Sequence, residues 1–443
     1  MINTDLLPLQ QEEILREVVR AALDAVRPEN FIPRTVHLEG TNLLIRDQQF
    51  DLSGFRHVYI AAIGKAAIGM AEATERIIGA FLTEGIALTK QIPQSAGLSS
   101  KWEILQGGHP VPTAESVVGA NKILAMLGKA EKNDLVIFLI SGGGSSLMTS
   151  PVDGISLQSY QEFCSAVLSC GADITEFNTL RKHLDAVKGG RLAIAAAPAT
   201  HVTIILSDVV GSPLDIIASG PTVPDPSTFS DALSILERYS SKAAFPPEIR
   251  RTLVKGLNGQ IPETLKPDHS LFERSHIFLA AENRTAAAAA AQKGSEYKLF
   301  SKVITTGLIG EAASIGKMLP SFLAELEAPG LMIFGGETTV SINGSGTGGR
   351  NQELALGAVQ AMASYPGCVL VTLATDGEDG PTDAAGAVVT SETFQRAKDH
   401  GLTPEEYLHN NDSYHFFEKA GGLIKIGSTG TNVNDLTFLF RFK

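Results

Sequence analysis

The chain has 443 residues, more than one hydrophobic core ordinarily serves, so two domains are expected with three as the alternative; 44% hydrophobic against 19% charged residues speaks against disorder, and 43 glycines among abundant Ala, Ile, Leu and Val lean towards α/β. A formal charge of −12 with no Lys/Arg-rich run argues against nucleic acid or an anionic membrane as partner, so an anionic substrate needs a local cationic site or a metal. No apolar stretch reaches the roughly 18 residues of a membrane span, and Cys164, Cys170 and Cys368 fall in no CxxC pattern, so a cytoplasmic protein without structural zinc is expected.

The first residues, MINTDLLPLQQEEILREVV, are acidic and amphipathic and lack the basic and apolar regions of a secretory signal. From Val58 to Ala80, VYIAAIGKAAIGMAEATERIIGA reads as a strand, a glycine loop and a helix. Lys65 lies where that helix opens. A cation is mildly unfavourable there, so Lys65 is a candidate for holding an anion, with a solvated side chain as the alternative. His109, in GGHPVP, sits in a loop stiffened by proline and is either structural or a ligand to substrate.

The run LVIFLI (135–140) predicts a buried strand, and SGGGSS follows it. Glycines let backbone N–H groups converge and serines add hydroxyls, so Ser141, Gly142, Gly143, Gly144, Ser145 and Ser146 are candidates for binding phosphate or carboxylate oxygens. The pattern is neither GxxxxGK[ST] nor GxSxG, so it supports no Walker loop and no nucleophile elbow. A structural turn is the alternative.

The stretch ITEFNTLRKHLDAVKGGRLAIAAA reads as helix. Seven-residue spacing puts Arg181 and Lys188 on one helical face, with Arg191 three residues on, as an anion clamp or a solvated cationic face. His183 reads as structural, and Gly189-Gly190 weakens the helix enough to allow a break. HVTIILSD (201–208) predicts a strand ending in Asp208, a candidate general base or a turn cap.

Pro and Gly thicken between 221 and 268, around one helix-like piece, DALSILERYS. The junction is expected within 245–270, separating a domain of residues 1–245 from one of 270–443. HIFLAA (276–281) then predicts a strand, and AAENRTAAAAAAQKG a packed helix stopped by Gly294. No internal repeat is visible.

LMIFGG (331–336) predicts a strand that delivers Glu337. GSGTGGRNQELAL holds a formal GxGxxG at Gly344, Gly346 and Gly349, a weak nucleotide signal. Gly348 and Gly349, candidates for contacting substrate or phosphate, precede Arg350, whose fork could meet phosphate or carboxylate. After VLVTLATDG (369–377), Asp376, Glu378, Asp379 and Asp383 supply hard oxygen ligands for magnesium or form a solvated acidic turn. Asp376, Asp379 and Glu337 are the candidate metal ligands.

These loops, in this order, resemble the glycerate 2-kinase family. The resemblance rests on AAIGKAAIGMA, GGHPVP, ISGGGSSL, RKHLDAVKGGRLA, LSDVVGSPLDIIASGPTVPDPST, GGETTV, GTGGRNQELAL, ATDGEDGPTDAAGA and TGTNVNDL, and spans nearly the whole chain. It implies a Rossmann-like three-layer N-terminal domain with a parallel sheet, a smaller C-terminal α/β domain, and an active site in the cleft between them. It also implies ATP-dependent phosphorylation of D-glycerate at the 2-hydroxyl with a divalent metal such as Mg2+. The family's active-site lysine and arginine match Lys65 and Arg350. Some members carry the label hydroxypyruvate reductase, which makes an NAD(P)H-dependent reductase the alternative enzyme; a non-catalytic anion-binding protein is the alternative outside enzymology. Nothing in the sequence bears on oligomeric state.

Overall fold

All but one of the runs of consecutive apolar residues become strands buried on both faces, as a sheet covered by helices requires, the exception being HIFLAA, whose strand is mostly half-buried. The structure is a computed structural model that describes residues 6–442. It divides into two units, one of Phe31–Ala280 and the other of the chain through Asn30 together with Ala281 onwards.

The Phe31–Ala280 unit begins with an antiparallel meander, β1 (Val36–Glu39), β2 (Asn42–Ile45) and β3 (Gln48–Asp51). These short strands match none of the predicted runs. Six more strands follow: β4 (Val58–Ile63), β5 (Glu84–Thr89), β6 (Trp102–Gln106), β7 (Leu135–Ile140), β8 (Thr200–Leu206) and β9 (Ser275–Ala281). Their spatial order is β6-β5-β4-β7-β8-β9. The chain steps outward from β4 to β6, then returns to the other side of β4 for β7. Strands β4 to β8 are parallel, so the β4/β7 border is a topological switch point, the ligand position of doubly wound sheets.

Every residue of β4 and β7 is buried. Tyr59, Ala61, Ile63, Val136, Phe138 and Ile140 share one core cluster with Ile123, Met126 and Leu127 of the helix Ala114–Leu127. A second cluster joins four helices, Leu157–Cys170, Ile174–Leu184, Phe229–Tyr239 and Pro247–Leu257, through Phe163, Phe177, Phe229 and Leu253. Side-chain caps start three of them, with Ser156, Asp173 and Thr228 each accepting from a backbone N–H three residues on.

The other unit carries β10 (Phe300–Leu308), β11 (Gly330–Gly336), β12 (Cys368–Ala374), β13 (Gly386–Thr390), β14 (Leu423–Ile424) and β15 (Asp435–Arg441), in the order β10-β11-β15-β12-β13-β14. Alternating β and α predicts parallel sheets, but this one is mixed. Only β10/β11 is parallel, because β15 enters antiparallel between β11 and β12 and β13 folds back on β12.

The division also differs from the expected domains. Strand β9 extends the first sheet, which carries that unit to Ala280. The helix Leu9–Ala25 packs on the helix Asn283–Glu296, and Thr431 Oγ1 donates to Val26 O at 2.6 Å, so the N-terminal segment belongs with the C-terminal half. The Pro- and Gly-rich stretch at 221–268 surrounds a helical cluster inside one unit. Gly294, expected as a stop, lies inside its helix, which runs to Glu296.

Candidate active site

In the Phe31–Ala280 unit, parallel strands aim their carboxyl ends at one edge of the sheet. Lys65 follows β4, Lys90 follows β5, His109 follows β6, Gly142 to Ser146 follow β7, and Asp208 follows β8. Lys65 N donates to Gly142 O at 2.9 Å across the β4/β7 border. A Cβ on Gly143 would stand 3.0 Å from His109 Cδ2 and 3.2 Å from Lys65 Cγ, and one on Gly142 would collide with the Asp208 carboxylate. The two glycines thus let Lys65, His109 and Asp208 close on the loop. Gly143 also has a φ of +81°, which a side chain would strain.

The electrostatics of this edge are cationic around a neutral imidazole. His109 is pushed down to about 4, chiefly by burial and in addition by the charges of Lys65, Lys90 and Arg181.

The loop's hydroxyls divide into two groups. Ser141 is 1% exposed, and its Oγ accepts from Ala66 N at 3.1 Å. Ser146 Oγ donates to Gly143 O at 3.3 Å. Ser141 thus ties the loop to the end of β4 and Ser146 braces the loop's own turn, so both hydroxyls have partners within the protein. Ser145 is half-buried and lies 2.9 Å from Ser219 Oγ.

The predicted clamp of Arg181, Lys188 and Arg191 does not form on one helix. The helix ends at Leu184, before the glycines, and a new one starts at Arg191. Lys188 is 0% exposed and donates to Asp185 Oδ2 at 2.8 Å and Met148 O at 2.7 Å. It is an internal ion-pair partner, which corrects its assignment to phosphate. Arg181 stacks its guanidinium 3.6 Å above the Phe177 ring. Arg191 keeps buried Nε and Nη2 groups without a hydrogen-bond partner, and burial lowers its affinity for its proton. His183 is structural, with Nδ1 2.8 Å from Thr179 O.

In the other unit, β11 delivers Glu337, β15 opens with Asp435, and Arg350 begins the helix Arg350–Met362. Arg350 Nε and Nη2 donate to Asp435 at 2.6 and 3.2 Å, and Nη1 donates to Glu337 at 2.5 Å. Burial opposes the charges of Arg350 and Asp435. The carboxylates outweigh it for Arg350, whose hold on its proton rises. Three of the five guanidinium N–H groups are used, leaving two.

Gly348 and Gly349 are glycines because Ser413 and Asp379 occupy the space a Cβ would need. Asp379, 2% exposed, accepts from the backbone N–H groups of Asn351 at 3.0 Å and Gln352 at 2.8 Å, and from both their side chains. It caps the Arg350 helix.

Comparison with known proteins bears on this arrangement. Residues 14–254 match a family described as Domain of unknown function (DUF4147), and residues 330–435 match the MOFRL family. A glycerate 2-kinase of Pyrococcus horikoshii is 39% identical over 97% of each chain. The chain belongs to the glycerate 2-kinase family. A crystal structure of a glycerate kinase from Thermotoga maritima superposes with a TM-score of 0.86 at 38% identity, covering 98% of this chain and 100% of that one. A relative from Agrobacterium vitis, 39% identical over 85% of each chain, carries a hydroxypyruvate reductase name. Membership of this kinase family makes the chain an enzyme, and no helix among the described residues is long and apolar enough to cross a membrane.

For a member of a kinase family the metal question is direct, and the three expected ligands do not fit a protein-built magnesium cage. Asp379 spends its oxygens on the helix cap and Glu337 is held by Arg350. Asp376 is half-buried and accepts from Glu378 N at 3.2 Å. No group of three or more His, Cys, Asp or Glu side chains able to hold a metal occurs among the described residues. Sequence reasoning also passed over Lys90, Ser219, Asn178 and Asp435. Asp435 and Ser219 carried a signal, lying in the quoted TGTNVNDL and LSDVVGSPLDIIASGPTVPDPST.

Proposed function

We propose that the chain transfers the γ-phosphoryl group of ATP to the 2-hydroxyl of D-glycerate, giving 2-phosphoglycerate and ADP. What supports this reading is the convergence of Lys65, His109, the Gly142–Gly144 backbone and Asp208 at the switch point of a doubly wound sheet. Phosphoryl transfer asks for alignment and charge neutralisation more than for covalent chemistry. Lys65 neutralises the anion at the sheet edge, with backbone N–H groups of the loop as further donors. His109 stays neutral and donates or accepts without adding charge. Asp208 takes the proton of the attacking hydroxyl. Arg350, oriented by Asp435 and Glu337, turns its two remaining N–H groups to phosphoryl or carboxylate oxygens. With Glu337 and Asp379 committed elsewhere, magnesium arriving on the nucleotide's own phosphates suits this residue set better than a site built by the protein.

The reductase reading is less favoured. A dinucleotide fingerprint needs a tight turn between a strand and a helix. Here Gly344–Gly349 belong to a long irregular segment after β11, and their neighbours are Asn410, Asp412, Ser413 and Asp379.

The deciding experiment supplies ATP, Mg2+ and D-glycerate with enolase as the coupling enzyme and no phosphoglycerate mutase. Product formation identifies 2-phosphoglycerate. A signal that appears only with added mutase would mean phosphorylation at the 3-hydroxyl, and NAD(P)H oxidation with hydroxypyruvate would restore the reductase.

A further inference from the structure

Behind the loop after β7 runs a short chain of hydrogen bonds whose polarity can be worked out. Ser145 Oγ lies 2.9 Å from Ser219 Oγ, which lies 2.6 Å from Asn178 Oδ1. The amide of Asn178 has one sensible orientation, because its Nδ2 donates to the carbonyl of Ile174 at 2.9 Å and a flipped amide would set two acceptors face to face. Its Oδ1 therefore faces Ser219 and can only accept. A hydroxyl has one proton, and that of Ser219 goes to Asn178. Ser219 must then accept from Ser145. The proton of Ser145 is directed inward, and its Oγ turns lone pairs alone to an approaching ligand.

This chain is held in place. Ser219 and Asn178 are 0% and 1% exposed. Ala218, Ser219 and Gly220 adopt left-handed φ values of 50°, 62° and 58° in succession. Such a run is costly for residues with side chains and persists where surroundings over-determine it. Here Gly189 N donates to Ser219 O at 3.0 Å and Gly190 N to Gly220 O at 2.8 Å.

We propose that Ser145 is a specificity-determining acceptor that receives a hydrogen bond from the non-reacting hydroxyl of the acceptor substrate, with Ser219 and Asn178 as its positioning residues. Lone pairs repel phosphate oxygens, so the hydroxyl of Ser145 does not serve the phosphates. The chain ends on an amide oxygen, which is no base, so it cannot draw a proton away from a reacting group. It suits a hydroxyl that keeps its proton, which for glycerate is the 3-hydroxyl. This inference rests on the glycerate reading given above.

D-Glycerate and D-lactate, which lacks the 3-hydroxyl, test it. In Ser145→Ala, kcat/KM for D-glycerate should fall by about 10- to 100-fold, while the KM for ATP and the kcat/KM or competitive Ki for D-lactate stay within about twofold. Retained handling of D-lactate reports that the variant is folded. Ser219→Ala keeps the Ser145 hydroxyl but frees its proton, and should lose part of the same discrimination. A glycerate-to-lactate ratio unchanged in Ser145→Ala, or a raised KM for ATP with the ratio intact, overturns the proposal. A wild-type enzyme that forms no 2-phosphoglycerate overturns the underlying reading instead.

Discussion

Arg350 and Asp435 meet through two parallel hydrogen bonds, Nε to Oδ2 at 2.6 Å and Nη2 to Oδ1 at 3.2 Å, joining the first residue of a helix to the first residue of the last strand. This fork fixes the plane of the guanidinium. Replacing Asp435 with Asn keeps the shape and removes the charge. It should lower kcat through misorientation of Arg350 and cost about 1.5–3 kcal/mol of stability. Arg350→Ala should lower kcat by about 10³-fold or more in a folded protein, judged by circular dichroism. Near-normal turnover in Arg350→Ala would remove it from the reaction.

Lys65 lies against the glycine loop at the switch point. Lys65→Ala should lower kcat by orders of magnitude with little change in unfolding midpoint, since the side chain is half-buried and no salt bridge of it appears among the described residues. Lys65→Arg should recover only part of the rate, because a planar fork does not reproduce a compact ammonium. Full activity in the alanine variant would leave the anion to other donors.

Lys188 and Asp185 predict the opposite outcome. Both are 0% exposed, so Lys188→Met strands a buried carboxylate and should cost about 3–5 kcal/mol. The folded fraction should keep its KM for both substrates. A large rise in either KM without loss of stability would return Lys188 to the role of anion clamp.

Asp379 separates a helix cap from a metal ligand. Asp379→Ala should destabilise by about 1–2 kcal/mol, as loss of a cap does, and leave the Mg2+ concentration for half-maximal rate unchanged. A rise of about tenfold or more in that concentration would make Asp379 a ligand after all.

Acid sensitivity follows from His109 and His201, each pushed down to about 4, in both cases chiefly by burial. An unfolded histidine titrates near 6.5, so between roughly pH 4 and 6.5 the unfolded chain binds more protons and stability rises with pH. The urea midpoint should fall as pH drops through this window, and less steeply in His109→Gln. A His109 ring resonance titrating near pH 6.5 would contradict the assignment.

Much of the first sheet was legible because LVIFLI, HVTIILSD and VYIAAI are unbroken apolar runs, the mark of strands buried on two faces. The second sheet was not, since nothing local in DLTFLFR says that it inserts antiparallel between two distant strands. The site divided in a similar way. His109 stood out by its Gly/Pro loop and the strand before it was not foreseen, whereas Lys65 and Asp208, carried by strand ends, follow from βα grammar. Which carboxylates are already committed does not: Asp376 and Asp379 look alike in ATDGEDG, and only the position of the helix at Arg350 turns one of them into a cap. Lys188 misled for a related reason, as helical periodicity was carried past Leu184 into a segment that had left the helix.

The placement of β15 sets an order for biosynthesis. The strand between β11 and β12 emerges from the ribosome after every other strand described, and the helix Leu9–Ala25 emerges before all of them. The Phe31–Ala280 unit can complete its sheet while translation continues. The other unit must hold an early helix unpartnered until residues 283–296 emerge and cannot close its sheet until residues 435–441 emerge. For that interval β11 and β12 each present an unpaired edge, a window for a chaperone or for aggregation that nascent chains stalled before residue 435 would reveal.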